Sequence, residues 1–123
     1  MLPKVSSPST LHSFRYAWWG IQTVFATQRN FRTHLVIGSL VIAAGLLFQV
    51  TRTEWCLLLL CIGAMLTTEV LNTAIEFLVD ALTLGQKEEA AKIVKDSAAA
   101  ACLITAVFCT LVGVLVFWPY ILQ

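Results

Sequence analysis

The sequence predicts an all-α integral membrane protein: an N-terminal amphipathic surface helix followed by three transmembrane helices, all in one membrane domain over residues 1–123. Three observations carry this. Of 123 residues, 59% are hydrophobic and only 12% charged. Mean hydropathy is +0.83, far above that of a soluble domain. Long uncharged runs recur after residue 34. A helical crossing needs about 20 apolar residues, so three or four crossings fit and a separate catalytic domain does not. Any chemistry belongs to side chains on the membrane helices or their connections. A net charge of +1 with no large basic cluster gives no footprint for nucleic acid.

Residues 1–10, with Pro3 and Pro8 among serines, read as a flexible arm. The first long apolar run comes too late for a cleavable signal. Over 11–29, Phe14, Trp18, Ile21 and Phe25 recur at spacings of four, three and four, with Arg15, Gln22 and Thr23 elsewhere around the helix. This is an amphipathic helix too polar to span, and its tryptophans suit the headgroup layer. Arg29, Asn30, Arg32 and His34 form a basic junction.

The first crossing is 35–50, uncharged and rich in glycine and alanine. Thr51 to Glu54 make a polar turn. The second crossing, 55–80, is apolar in its first half and carries Glu69, Asn72, Glu76 and Asp80 in its second. A loop around Gly85 leads to the third crossing, 91–118, whose Ala98 to Phe117 are uncharged and end at Trp118. Cys56, Cys61, Cys102 and Cys109 lie in apolar runs without metal spacing and read as small core residues.

Seven of the eight Lys and Arg residues fall on the N-terminal segment or the second loop region, and only Arg52 on the first loop. By the positive-inside rule the N-terminus and the acidic half of the second crossing are cytoplasmic.

At about 100° per residue, Glu69, Asn72, Glu76 and Asp80 share a wedge of roughly 80°. Glu69 lies about 22 Å along the helix from Glu54, inside a hydrocarbon core of about 30 Å, whereas Glu76 and Asp80 reach the headgroups. A charge at that depth costs several kcal/mol unless paired or hydrated, so the stripe faces protein or a wet cleft. Ion pairing with Lys92, Lys95, Arg29 or Arg32 is the purely structural use, but gluing helices together rarely requires three acids and an amide in register. Lys92, Lys95 and Asp96 lie on one side of the third crossing near its start.

Acids, a carboxamide and lysines at a cytoplasmic interface are the parts phosphoryl transfer requires: carboxylates for Mg²⁺, a cation for phosphates and a base for the attacking hydroxyl. Proton transport requires only the acids, so a small proton-coupled transporter is the alternative, and a non-catalytic scaffold a third. Neither GxxxxGK[ST] nor GxGxxG occurs.

The stretch Glu69-Val70-Leu71-Asn72-Thr73-Ala74-Ile75-Glu76-Phe77-Leu78-Val79-Asp80 resembles the ExxNTAIExxxD signature of the prokaryotic diacylglycerol kinase family, which includes undecaprenol kinases. Lys95-Asp96-Ser97-Ala98-Ala99 looks like that family's KD motif, and Asn30-Phe31-Arg32-Thr33-His34 like its NFRxH junction; the resemblance runs from about Phe14 onward. It implies an inner-membrane enzyme that moves the γ-phosphate of ATP, with Mg²⁺, to the hydroxyl of diacylglycerol or undecaprenol. It further implies that Glu69 is the catalytic base, that Glu76 binds the metal of Mg-ATP, and that Tyr16, Lys95 and Asp96 belong to the nucleotide site. Asn72, Asp80 and Lys92 support them. A homotrimer with sites between subunits is implied as well.

One position departs from the family pattern. Gln28 stands where the family usually has a glutamate acting as second metal ligand. An amide oxygen can coordinate Mg²⁺ but brings no charge. On an unbroken surface helix Gln28 shares the face of Phe14, Trp18, Ile21 and Phe25.

Overall fold

The computed structural model describes residues 9–123, which form α1 (Thr10–Thr27), α2 (Arg29–Phe48), α3 (Arg52–Thr83) and α4 (Glu89–Ile121). Helices α2, α3 and α4 are each long and apolar enough to cross a membrane. Contacts along their lengths fix an up-down-up order. Gly45 meets Trp55, Gly38 meets Ile62 and His34 meets Glu69, so α2 and α3 are antiparallel. Lys95 meets Asp80, Cys109 meets the Cys61 carbonyl and Tyr120 meets Glu54, so α3 and α4 are antiparallel too. The most extensive packing is between α3 and α4, with α2 against α3 and α1 touching α2 and α3 more lightly.

Helix length explains the shape. The 20 residues of α2 span about 30 Å, one hydrocarbon thickness, whereas the 32 of α3 and 33 of α4 reach nearly 50 Å. At one end all three are level: Val50, Leu58 and Val116 form a buried cluster with Phe48, Trp55 and Tyr120 packed around it. The excess length of α3 and α4 therefore projects past the start of α2 at the other end. That end carries Glu76, Asp80, Lys92 and Lys95.

Inside lipid every polar group must find a partner within the protein. The hydroxyls of Ser39, Thr73, Thr105 and Thr110 each donate to the carbonyl four residues back on their own helix, at 2.8 to 2.9 Å. They thereby tolerate apolar surroundings.

The helix bounds differ from the sequence expectation at nearly every end, each for a local reason. Of the expected arm 1–10, residues 1–8 lie outside the described residues, and Thr10 already opens α1. Helix α1 stops at Thr27 instead of 29, because Gln28 is extended, at φ −108° and ψ 112°. Helix α2 then begins at Arg29 rather than 35, so the basic junction is helical. It ends at Phe48 rather than 50 because Gln49 turns left-handed, at φ 52°. Helix α3 begins at Arg52, not 55: the Thr51 side chain accepts from the Glu54 N–H while the Glu54 carboxylate accepts from the Thr51 N–H, a reciprocal capping box. It continues three residues past 80, to Thr83, where Leu84 and Gly85 turn left-handed and the Gly85 N–H closes back on the Asp80 carbonyl at 3.1 Å. Helix α4 covers Glu89–Ile121 instead of 91–118, with Pro119 in its last turn, where the missing N–H forfeits a single hydrogen bond.

The α2–α3 contact depends on absent side chains. A Cβ on Gly45 would stand 2.7 Å from the Trp55 ring and one on Gly38 3.2 Å from Ile62. Gly45→Val should therefore push Trp55 out of its place and destabilise the bundle by about 1–3 kcal/mol. Reversible unfolding of the variant in detergent micelles checks this.

Candidate active site

The end of the bundle where α3 and α4 overhang α2 gathers most of the chain's ionisable side chains. Glu69 is the most enclosed of them, only 4% exposed. Its carboxylate Oε1 lies 3.5 Å from His34 Nε2 on α2, and Cys102 of α4 sits beside it. The Thr73 hydroxyl is bonded to the Glu69 backbone carbonyl and leaves the carboxylate to its neighbours. The His34 contact also fixes depth. His34 is five residues into α2, about 7.5 Å from its start, which puts Glu69 roughly three quarters of the way through a 30 Å core. Counting along α3 from Glu54 leads to the same level.

One turn beyond Glu69, Asn72 is half-buried and donates from Nδ2 to Glu76 Oε1 at 3.1 Å. This bond draws the Glu76 carboxylate back along α3 toward Glu69. The Asn72 amide oxygen is buried without a hydrogen-bond partner. A buried oxygen in that state costs about 1–3 kcal/mol, so the site is incomplete as it stands. Further out, Asp80 pairs with Lys95 across the α3–α4 junction and Lys92 pairs with Asp96 along α4. These four residues line a groove of about 700 Å³ together with the 84–88 connection. On the apolar side, His34 forms the lip of a cleft of about 220 Å³ between α2, α3 and α4, walled by Gly38, Leu58, Met65 and Cys109.

The structure thus brings together Glu69, Asn72, Glu76, Asp80, Lys92, Lys95 and Asp96 along one edge of α3 and α4. It does not bring Tyr16 or Gln28 to them. Tyr16 is exposed and packs edge-on against Trp19. Gln28 is half-buried at the α1–α2 break, so the face argument made for an unbroken helix lapses. Among the described residues, no hydrogen bond or ion pair joins either to the acids. The stripe Leu11, Phe14, Trp18, Ile21 and Phe25 is likewise exposed, and α1 buries only Val24.

Three residues of the junction acquire distinct tasks. Phe31 is buried. Arg32 donates to the Phe25 and Ala26 carbonyls at 2.7 and 3.2 Å, satisfying the open C-terminal end of α1 with a cation, as the helix dipole favours. His34 reaches Glu69. Sequence reading grouped Arg32 and His34 in a basic junction and missed His34 as a site residue. The signal was the demand of a membrane-depth carboxylate for a partner, combined with a histidine at the matching depth on the neighbouring crossing.

Known proteins resemble this chain over most of its length. The family described as prokaryotic diacylglycerol kinase matches residues 15–117. A diacylglycerol kinase of Synechocystis sp. is 44% identical over 118 residues, covering 95% of this chain and 67% of that protein. An undecaprenol kinase of Bacillus subtilis is 39% identical over 107 residues, covering 87% of this chain and 86% of that protein.

Removing the Arg32 cap should loosen α1 without disturbing the acids. Arg32→Ala is expected to speed amide exchange at the α1 C-terminus, residues 24–28, by about 10- to 100-fold, corresponding to the roughly 1.5–3 kcal/mol of charge-assisted hydrogen bonds. Hydrogen exchange read by mass spectrometry measures it.

Proposed function

The chain belongs to the prokaryotic diacylglycerol kinase family and is a membrane lipid kinase; on that footing we propose that it moves the γ-phosphate of Mg-ATP onto the hydroxyl of diacylglycerol or undecaprenol, with Glu69 as the base. The observation that carries this reading is the enclosed Glu69 carboxylate in the last quarter of the hydrocarbon layer, in line with Asn72, Glu76 and the Lys95–Asp80 pair. A lipid hydroxyl resides near that depth, while a nucleotide arrives from water at the overhanging end.

In this reading the lipid tail lies against the apolar cleft below His34 and its hydroxyl faces Glu69. As the hydroxyl oxygen bonds to the γ-phosphorus, its proton passes to the Glu69 carboxylate and the bond to the β-phosphate oxygen breaks, releasing ADP. The chain's own residues chiefly position and neutralise, as phosphoryl transfer demands. Lys95 is the cation for the phosphates, held in place by Asp80, and Lys92 and Asp96 border the same groove. Tyr16 would reach the nucleotide from a neighbouring subunit, since in its own chain it is exposed and away from the acids. A homotrimer with shared sites accommodates that placement and covers part of the apolar surface that a single chain leaves open.

The donor set suits Mg²⁺ without caging it. Among the described residues no three His, Cys, Asp or Glu side chains cluster as a metal site. Mg²⁺ usually takes one or two protein carboxylates and completes its shell with phosphates and water. Glu76 supplies such a carboxylate, the partnerless Asn72 oxygen lies beside it, and Gln28 would add a neutral oxygen. The metal, when bound, neutralises charge on the β- and γ-phosphates. The positive-inside count supports a bacterial inner-membrane protein with a cytoplasmic N-terminus.

Purified protein given radiolabelled ATP with each lipid separately should label at least one of them, and label in neither would refute the kinase reading. Glu69→Gln should lower turnover by at least 10²-fold, within the range for loss of a general base, while the folded oligomer persists by size-exclusion chromatography. Gln28→Glu should lower the Mg²⁺ concentration for half-maximal rate, read from a magnesium titration at saturating ATP.

A further inference from the structure

A carboxylate that accepts a proton at membrane depth must surrender it before the next turnover, and Glu69 has little contact with water, at 4% exposed. Its neighbours are mostly committed elsewhere. The Asn72 amide donates to Glu76, Lys95 pairs with Asp80, Lys92 pairs with Asp96, and the Thr73 hydroxyl is bonded to a backbone carbonyl. Among the described residues two further side chains reach it: Cys102 of α4, itself buried, and His34, whose Nε2 is 3.5 Å from Glu69 Oε1 and whose side chain is 23% exposed. His34 thus touches the buried acid while part of its ring is uncovered by the protein, two residues from Arg32 at the charged start of α2. Its aim is fixed from behind: Phe31 is buried and Arg32 is strapped to the end of α1, so the first turns of α2 are held in register with α3.

We infer that His34 positions the Glu69 carboxylate and carries away the proton that Glu69 takes from the lipid hydroxyl. This rests on the kinase reading and adds the exit route to it. In the step, protonated Glu69 gives its proton to the unprotonated ring nitrogen of His34, the carboxylate is restored, and the imidazolium returns a proton to water through its exposed side. Imidazole can accept a proton on one ring nitrogen and release one from the other, which suits both halves of that exchange. The other ionisable groups facing the pair are Cys102 from α4, beside Glu69, and Glu76 farther along α3; Arg32 on α2 itself is turned toward the α1 carbonyls. None of these both touches Glu69 and is uncovered by protein as His34 is.

The test is steady-state kinetics of the full chain in micelles with ATP and whichever lipid the parent labels. His34→Gln preserves a polar side chain of similar reach but not the proton exchange. It should lower kcat at least tenfold while KM for ATP and for lipid stays within about threefold. Because His34 forms part of the wall of the 220 Å³ cleft, His34→Ala leaves room for a small base, and added imidazole should recover its kcat severalfold. A His34→Gln kcat equal to that of the parent overturns the inference, as does a His34→Ala defect that imidazole leaves untouched. Parent turnover keeps the two readings apart: an active parent with an equally active His34→Gln removes the relay alone, whereas an inactive parent removes the kinase reading and the relay with it.

Discussion

One constraint organises this molecule: a carboxylate, Glu69, is held at a depth where hydrocarbon surrounds the bundle. In that medium an ion without a partner costs several kcal/mol, so each structural element near Glu69 can be understood by how it makes the position tolerable. Helix α2 contributes His34, and α4 approaches closely enough through the buried Ala98 and Cys102 to shield the carboxylate from lipid. A scaffold would have no use for such a residue, since leucine would serve packing there at no electrostatic penalty. The proposed role as base gives the residue a use.

The two ends of the bundle divide structure from chemistry. At the level end, Glu54 caps α3 and accepts from the Tyr120 hydroxyl at 2.7 Å, while aromatic rings of Phe48, Phe117 and Tyr120 pack around a small apolar core. Its polar groups there are satisfied by one another. At the overhanging end, ion pairs are exposed, an amide oxygen lacks a partner and a wide groove remains open. Unsatisfied polarity concentrated at one end is what a protein leaves for a ligand to complete.

Much of this was legible from residues alone, because hydrophobic length and the helical period are strong signals in a membrane. The three crossings and the shared face of Glu69, Asn72, Glu76 and Asp80 follow from counting, whereas the Lys95–Asp80 pair enters the sequence reading only as the purely structural use of that stripe. Helix ends were less legible. Thr51 and Glu54 looked like a turn because they are polar, although their spacing is that of a capping box, which starts a helix. The break at Gln28 was invisible because neither glycine nor proline marks it; it is held by tertiary contact through Arg32. The Glu69–His34 pair joins residues 35 apart in sequence, and only the antiparallel packing of α2 on α3 reveals it.

The connection between α2 and α3 spans only residues 49–51. Three residues reach about 10 Å at most, far less than a bilayer, so neither helix can settle across the membrane while the other waits outside it. The pair therefore enters as a single hairpin with Arg52 and Glu54 at its tip. The relative placement of α2 and α3 is thereby settled before α4, with half of the charged groove, has left the ribosome.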